Sequence, residues 1–275
     1  MENSIGIEEK NQIDLTTLLC NQYHIDNYSI NSDGSIDVDG NVDFINENFK
    51  QLPLKFGIVS GSFYCGSGKL TTLEGAPTTV GGNFSCSYNE LSSLLDGPVT
   101  VVGNFSGSYN RLTSLEGGPQ TVGGDFHCNG NILSTLKGAP VTVGGFFGCD
   151  YNELTTLEGG PKKIADNFTC SYNSLSTLKG APDFVGGDFY CCENVLMSTY
   201  SGDTDIEIIG NFYSGFSDDS KLHFFWDSTN NMYHIKGVVK MILKYQRHFE
   251  IWNDDLSLNN ENLQILLDEI KDGLL

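Results

Sequence analysis

Positive charge is scarce in this sequence: 15 Lys and Arg stand against 35 Asp and Glu, a formal net charge of −20. A generic nucleic-acid binder is therefore disfavoured, because gripping phosphates takes clustered Lys and Arg. The deficit is spread along the chain, with 10 acids and 3 bases in residues 1–57, 12 and 6 in 58–195, and 13 and 6 in 196–275. Such a spread suits a solubilising surface better than an acidic imitation of nucleic acid, which crowds its carboxylates more densely. No run of about 18 apolar residues occurs, so no membrane-spanning helix is expected. The opening MENSIGIEEKNQIDLTTLLC has no basic segment followed by an apolar one, so a signal peptide is not expected either. With no such signal, the 8 cysteines point to a reducing compartment, and a cytoplasmic location is expected.

Paired metal and catalytic motifs are also missing. No CxxC occurs, and the adjacent Cys191 and Cys192 suit neither a disulfide nor a chelate. His24, His127, His223, His234 and His248 form no HxxxH or HExxH pair. NSDGSIDVDG (Asn31–Gly40) resembles the start of a calcium loop, but placing either Gly34 or Gly40 at position six leaves position twelve as Gly40 or Asn46 instead of Glu. There is no Gly-rich phosphate loop and no nucleophile elbow. A non-enzymatic protein is expected, with no catalytic, cofactor-binding or metal-binding residue assigned.

What the sequence has in abundance is repetition. Phe63, Phe84, Phe105, Phe126, Phe147, Phe168 and Phe189 recur every 21 residues, and Val42 falls in the same column. Two residues on stand Cys65, Cys86, Gly107, Cys128, Cys149, Cys170 and Cys191. Five residues on come Gly68 and then Asn89, Asn110, Asn131, Asn152, Asn173 and Asn194. Leucines follow at seven (Leu70 to Leu196) and at ten (Leu73 to Leu178), a proline at fourteen (Pro77 to Pro182) and Val or Ile at seventeen (Val80 to Val185). The phrase F-x-C-x-x-N-x-L-x-x-L resembles the leucine-rich repeat, at a period as short as the bacterial versions, over residues 42–195. G-A-P combined with V-G-G-D/N-F is similar to a set of repeat proteins found in bacteriophage genomes.

Physically, each coil should supply a short F-x-C strand whose alternate residues face inward, stacked at about 4.8 Å into a parallel sheet. The Asn should turn the chain and bond backbone groups of the next coil, while Gly and Pro carry an extended return side. Buried packing is the expected role of the cysteine column. The fold class is thus a mainly β solenoid, a short-period leucine-rich-repeat array with a parallel strand ladder and caps at both ends. Residues 1–41 form the N-terminal cap, with a short helix over 8–23 and a hairpin in YSINSDGSIDVDGNVDF. Residues 42–216 form the solenoid. Its last, irregular coil runs through Ile208–Phe212, 23 residues on, after the insert Ser198–Thr204. Residues 217–275 form a small α/β cap, with a hairpin in LHFFWDSTNNMYHI and helical spacing in Ile235, Val238, Val239, Ile242 and Phe249 and again in Leu263, Leu266, Leu267 and Ile270.

The outward face of the F-x-C strands is rich in Tyr, Ser and Asn. Its candidate partner-binding residues are Ser85, Ser87, Tyr88, Ser106, Ser108, Tyr109, His127, Asn129, Asp150, Tyr151, Thr169, Ser171, Tyr172 and Tyr190. Tyr supplies rigid contact area and Ser and Asn adaptable hydrogen bonds, as in antibody paratopes. The function expected is a protein-binding scaffold; the phage resemblance implies a phage-encoded protein that engages or inhibits a host factor. The alternatives are a structural or adhesive virion component and an acidic nucleic-acid mimic. No direct nucleic-acid or membrane contact is expected, and the sequence leaves the oligomeric state open.

Overall fold

The computed structural model describes residues 15–194, 206–213 and 259–271. The chain is a parallel β-solenoid, and its coils group into two compact units. One spans residues 1–131 with 138–140, the other residues 132–137 with 141–275.

Each coil makes two strands where the sequence suggested one. In the first unit, β3 (Val42–Asp43), β5 (Phe63–Tyr64), β7 (Phe84–Ser85), β9 (Phe105–Ser106) and β11 (Phe126–His127) pair in parallel at 21-residue register. A second parallel ladder runs through β2 (Ile36–Val38), β4 (Phe56–Val59), β6 (Thr79–Val80), β8 (Thr100–Val101) and β10 (Thr121–Val122). The valine column is therefore a strand position, and the V-G-G segment is the corner between the two ladders. In the second unit the same two ladders are β13 (Phe147–Gly148), β15 (Phe168–Thr169), β17 (Phe189–Tyr190) and β19 (Phe212–Tyr213), and β12 (Thr142–Val143), β14 (Lys163–Ile164), β16 (Phe184–Val185) and β18 (Glu207–Ile208). The last coil keeps register across its longer spacing, with Val185 opposite Ile208 and Phe189 opposite Phe212.

The core is one line of side chains per column. Phe84, Cys86, Leu91, Leu94 and Val101 are buried, as are Phe168, Cys170, Leu175, Leu178 and Val185. Burying each Phe, Leu or Val stabilises by about 1.5–3 kcal/mol, but only when a neighbouring coil covers it. In the first unit the phenylalanines stack, Phe63 on Phe84 at 5.6 Å and Phe84 on Phe105 at 5.7 Å. An edge-on cluster of Tyr23, Phe44, Phe49 and Phe56 closes the end of that stack, with Tyr23 5.2 Å from Phe44. Tyr23 is delivered by the helix over 15–22, and the adjoining hairpin pairs β1 (Tyr28–Ile30) antiparallel with β2. The cysteine column is buried and forms no disulfide. Thiol ionisation is suppressed by burial, pushed up to about 12 at Cys86. Cys65 and Cys149 each direct Sγ at a strand carbonyl of the next coil, at 3.4 Å.

Side-chain oxygens take over where the strands end. Asn89 donates to the Cys65 and Cys86 carbonyls at 2.8 and 3.1 Å and accepts the Leu70 N–H at 2.9 Å. The asparagines thus reach back to the preceding coil, not forward as the sequence suggested. A second row lies just before each Phe: Asn83 accepts the Asn104 N–H, and Asn104 the Asp125 N–H, both at 2.9 Å. This row explains the second glycine of V-G-G. A Cβ on Gly103 or Gly124 would fall inside contact distance of Asn83 Oδ1 or Asn104 Oδ1. The exception follows the same logic. Phe146 replaces Asn in one coil and has no side-chain acceptor, and the next coil carries Asp166 at the glycine position.

Turn glycines Gly75, Gly117, Gly138, Gly159 and Gly180 all have φ between 82° and 95°, the left-handed region that glycine enters without strain. Beyond the coils, Asn260–Lys271 is the helix expected around Leu263–Ile270, with Leu266 buried. The insert Ser198–Thr204, the hairpin in LHFFWDSTNNMYHI and the helical spacing of Ile235–Phe249 lie outside the described residues, as does the part of the N-terminal helix before residue 15.

Candidate protein interface

The tyrosine row is set by the backbone. The residue four after each Phe-column position lies in the left-handed region whatever its type: Asn46, Ser67, Tyr88, Tyr109, Gly130, Tyr151, Tyr172 and Glu193 have φ between 54° and 65°. That turn rotates the side chain out of the strand plane. Tyr88, Tyr109, Tyr151 and Tyr172 are accordingly 57%, 48%, 54% and 41% exposed. They form two stacked dyads. Tyr88 and Tyr109 lie 4.6 Å apart at 10° in the first unit, and Tyr151 and Tyr172 lie 4.3 Å apart at 7° in the second. Gly130 takes the same position with no ring, and a Cβ there would lie 2.7 Å from the Tyr109 ring.

Magnitudes separate stability from exposure here. A left-handed conformation costs a non-glycine residue about 1–2 kcal/mol, and an aromatic pair returns about 0.5–1.5 kcal/mol. Glycine would meet the turn without that backbone cost, so the turn itself does not call for tyrosine at four of these positions.

The serine row is engaged in holding the coils together. Ser87, Ser108 and Ser171 were read from the sequence as outward contact residues, but they are only 8%, 6% and 8% exposed. Ser87 Oγ lies 2.7 Å from Ser106 Oγ and accepts the Ser108 N–H at 3.2 Å. Ser108 Oγ and Ser171 Oγ accept the N–H of Asn129 and Cys192, each at 3.2 Å. The strand has ended at this position, so a side-chain oxygen replaces the ladder carbonyl. Asp150 fills the same role: its carboxylate accepts the Ser171 N–H at 2.6 Å and also the Thr169 hydroxyl. Burial raises the Asp150 pKa against those two lowering bonds. Thr169 is itself buried, whereas Ser85, Ser106, His127, Asn129 and Tyr190 are half-buried. His127 is held below its usual pKa by burial, partly offset by Asp125 at 4.0 Å.

Sequence reasoning missed one aromatic pair. Tyr213 stacks on Tyr190 at 4.6 Å and 3°, and the Tyr190 hydroxyl donates to Asp188 at 2.9 Å. Burial and Asp188 together push the Tyr190 pKa up to about 12. The signal was present in the N-F-Y of the last coil, displaced by its longer spacing. Beside the first dyad, Arg111 pairs with Glu90 at 3.3 Å. Among the described residues no group of three His, Cys, Asp or Glu is placed to hold a metal ion, and no helix is long and apolar enough to cross a membrane.

The fold and this surface define a repeat scaffold, a 21-residue parallel β-solenoid bearing exposed tyrosine pairs. Comparison with protein-family models, curated proteins and solved structures finds no match for the chain.

Proposed function

We propose that the chain is a non-enzymatic scaffold that binds a protein partner through the tyrosine face of its F-x-C strands. The observation that carries this reading is the exposed tyrosine pair in each unit, Tyr88–Tyr109 and Tyr151–Tyr172, at left-handed turns where the backbone itself does not call for tyrosine. Rings fixed by a repeating backbone give contact area with little ordering cost on binding. The likeness of F-x-C-x-x-N-x-L-x-x-L to leucine-rich repeats supports the same reading, since solenoid faces of that kind serve as binding surfaces. The likeness of G-A-P and V-G-G-D/N-F to bacteriophage repeat proteins supports a phage-encoded protein that engages or inhibits a host factor in the host cytoplasm. The even spread of the −20 charge favours this scaffold over an acidic nucleic-acid mimic.

The test is capture of partners from bacterial lysate on the immobilised full chain, beside a variant with Tyr88, Tyr109, Tyr151 and Tyr172 all replaced by Gly. Glycine retains the turn, so the variant keeps its far-UV circular dichroism. Loss of a partner specific to the wild type supports the reading. Capture of the same partner at wild-type level sinks it, and recovery of the chain in purified virions with no lysate partner would favour a virion component.

A further inference from the structure

We propose that a recess in the first unit, at the opening turns of the solenoid, is a binding site for an aliphatic polyamine. The recess encloses about 590 Å³ between three successive turns, at residues 51–56, 74–78 and 96–97. That size suits a small organic ligand. The first of these turns departs from the repeat. Pro53 and Leu54 stand where the next coil has Glu74 and Gly75, and Phe56 stands where later coils have proline. The β2–β4 pairing shifts register at the same place, with Ile36 opposite Phe56 but Val38 opposite Val59. The Phe56 N–H still donates to the Gly75 carbonyl at 2.8 Å, which holds the first two turns against each other. These turns are not the ones that carry the tyrosine row, so the site is separate from the proposed protein interface.

Two kinds of surface meet in the recess. Leu52, Leu54, Phe56 and Ala76 are buried residues of its lining and Pro53 is half-buried, so the floor is apolar. Glu74 and Asp96 are exposed at the rim, and neither carboxylate has a partner among the described residues. Lys55 is the one base in the lining, and its Nζ is already engaged by Asp33 at 2.7 Å. Two uncompensated negative charges therefore stand over an apolar floor. Asp96 is also the departure in its column. Five other coils hold this turn with Gly75, Gly117, Gly138, Gly159 and Gly180, and Asp96 holds it at φ 63°. Aspartate enters the left-handed region more readily than most side chains, so the backbone tolerates this carboxylate without calling for it.

An occupant has to match both surfaces. A divalent cation would meet the carboxylates but gain nothing from leucine and phenylalanine, and among the described residues no group of three His, Cys, Asp or Glu is placed to hold one. A single lysine side chain brings one ammonium to two carboxylates. A polyamine carries ammonium groups at both ends of a methylene chain. The chain can lie on the floor while its ends meet Glu74 and Asp96, which belong to adjacent coils roughly 4.8 Å apart.

The experiment titrates spermidine into the full chain at physiological salt, read by isothermal titration calorimetry. One saturable site is expected. Butylamine, which has a similar aliphatic body but a single charge, should bind about tenfold more weakly or worse. Glu74→Gln with Asp96→Asn should weaken spermidine about tenfold, and since Asn also accepts the left-handed turn, the far-UV circular dichroism should not change. Asp166→Asn with Asp183→Asn removes the same charge from the second unit and should leave the affinity within about twofold. Equal losses in the two double variants would reduce the binding to bulk attraction by a −20 chain and overturn the proposal. Displacement of spermidine by an equal concentration of Mg²⁺ would make this an inorganic-cation site. Tighter binding of tetralysine through the same two carboxylates would make it a peptide site. Either result would overturn the proposal, as would a wild-type chain that takes up no spermidine. None of these outcomes bears on tyrosine-dependent capture from lysate, which tests the protein-binding reading by itself.

Discussion

Replacing Asn89 tests the ladder that joins one coil to the next. The side chain is 8% exposed, and both ends of its amide are used. Nδ2 donates to the Cys65 carbonyl at 2.8 Å and the Cys86 carbonyl at 3.1 Å, and Oδ1 accepts the Leu70 N–H at 2.9 Å. Asn89→Ala strands the buried Leu70 N–H and the buried Cys65 carbonyl, while the Cys86 carbonyl keeps a bond from the Asn110 amide at 3.0 Å. Leaving a buried polar group unpaired costs about 1–3 kcal/mol, with carbonyls at the low end, so the loss should be about 3 kcal/mol. Asn89→Asp is nearly the same shape and keeps the acceptor for Leu70, but it points a carboxylate at two carbonyl oxygens. At pH 7 the Asp variant should therefore be less stable than the Ala variant. Its folded-state pKa would be raised, so the stability of the protonated form is fully present at low pH and lost as pH rises through that value. The gap between the variants should accordingly close toward pH 4. Urea unfolding followed by far-UV circular dichroism and tyrosine fluorescence measures the order, and the Ala variant should melt roughly 6–12 °C lower. An Asp variant as stable as wild type, or more stable than Ala at pH 7, would refute the ladder argument.

Other perturbations reach different parts of the coil. Gly124→Ala should cost about 2 kcal/mol by displacing the Asn104 side chain from the Asp125 N–H. Combining it with Asn104→Ala should cost at least about 1 kcal/mol less than the sum of the two single changes; strict additivity in a double-mutant cycle would show that the two sites do not interact. Tyr88→Gly should leave stability within about 0.5 kcal/mol, since lost stacking and relieved backbone strain offset one another; a much larger loss on urea unfolding would assign the tyrosine row to folding. Asp150 has a raised folded-state pKa, so its contribution to stability is present at low pH and lost as pH rises through that value. Asp150→Asn should be more stable than wild type near neutral pH, with the advantage shrinking in acid; a difference that does not change with pH would contradict this.

The sequence was most informative about what repeats. Seven phenylalanines at one spacing require equivalent environments, so the inward columns, the period and the parallel ladder could be read before any contact was known. The strand at Thr79–Val80 and its counterparts was harder to see. A two-residue strand carries too little alternation, and the flanking Gly-Gly and Pro resemble loop. The N-terminal hairpin and the last helix were legible because each carries its own local pattern. Among the candidate site residues, the exposure of Tyr88, Tyr109, Tyr151 and Tyr172 was legible, because each is a large ring at a repeated outward position. Ser87, Ser108 and Ser171 were misplaced because alternation assumes a strand that continues, whereas the chain turns at the next residue.

What the sequence alone determined is therefore the one-dimensional order: the coil length, the residues that stack on themselves, and the excess of acid. Tertiary structure decided which polar side chains are spent on neighbouring coils and which remain exposed. An asparagine ladder and an exposed polar row look alike as repeated letters. They diverge only when the end of a strand leaves an N–H or carbonyl that some side chain must satisfy. By the same logic, Phe146 and Asp166 depart from their columns together because a glycine is required only where the preceding coil presents an acceptor oxygen.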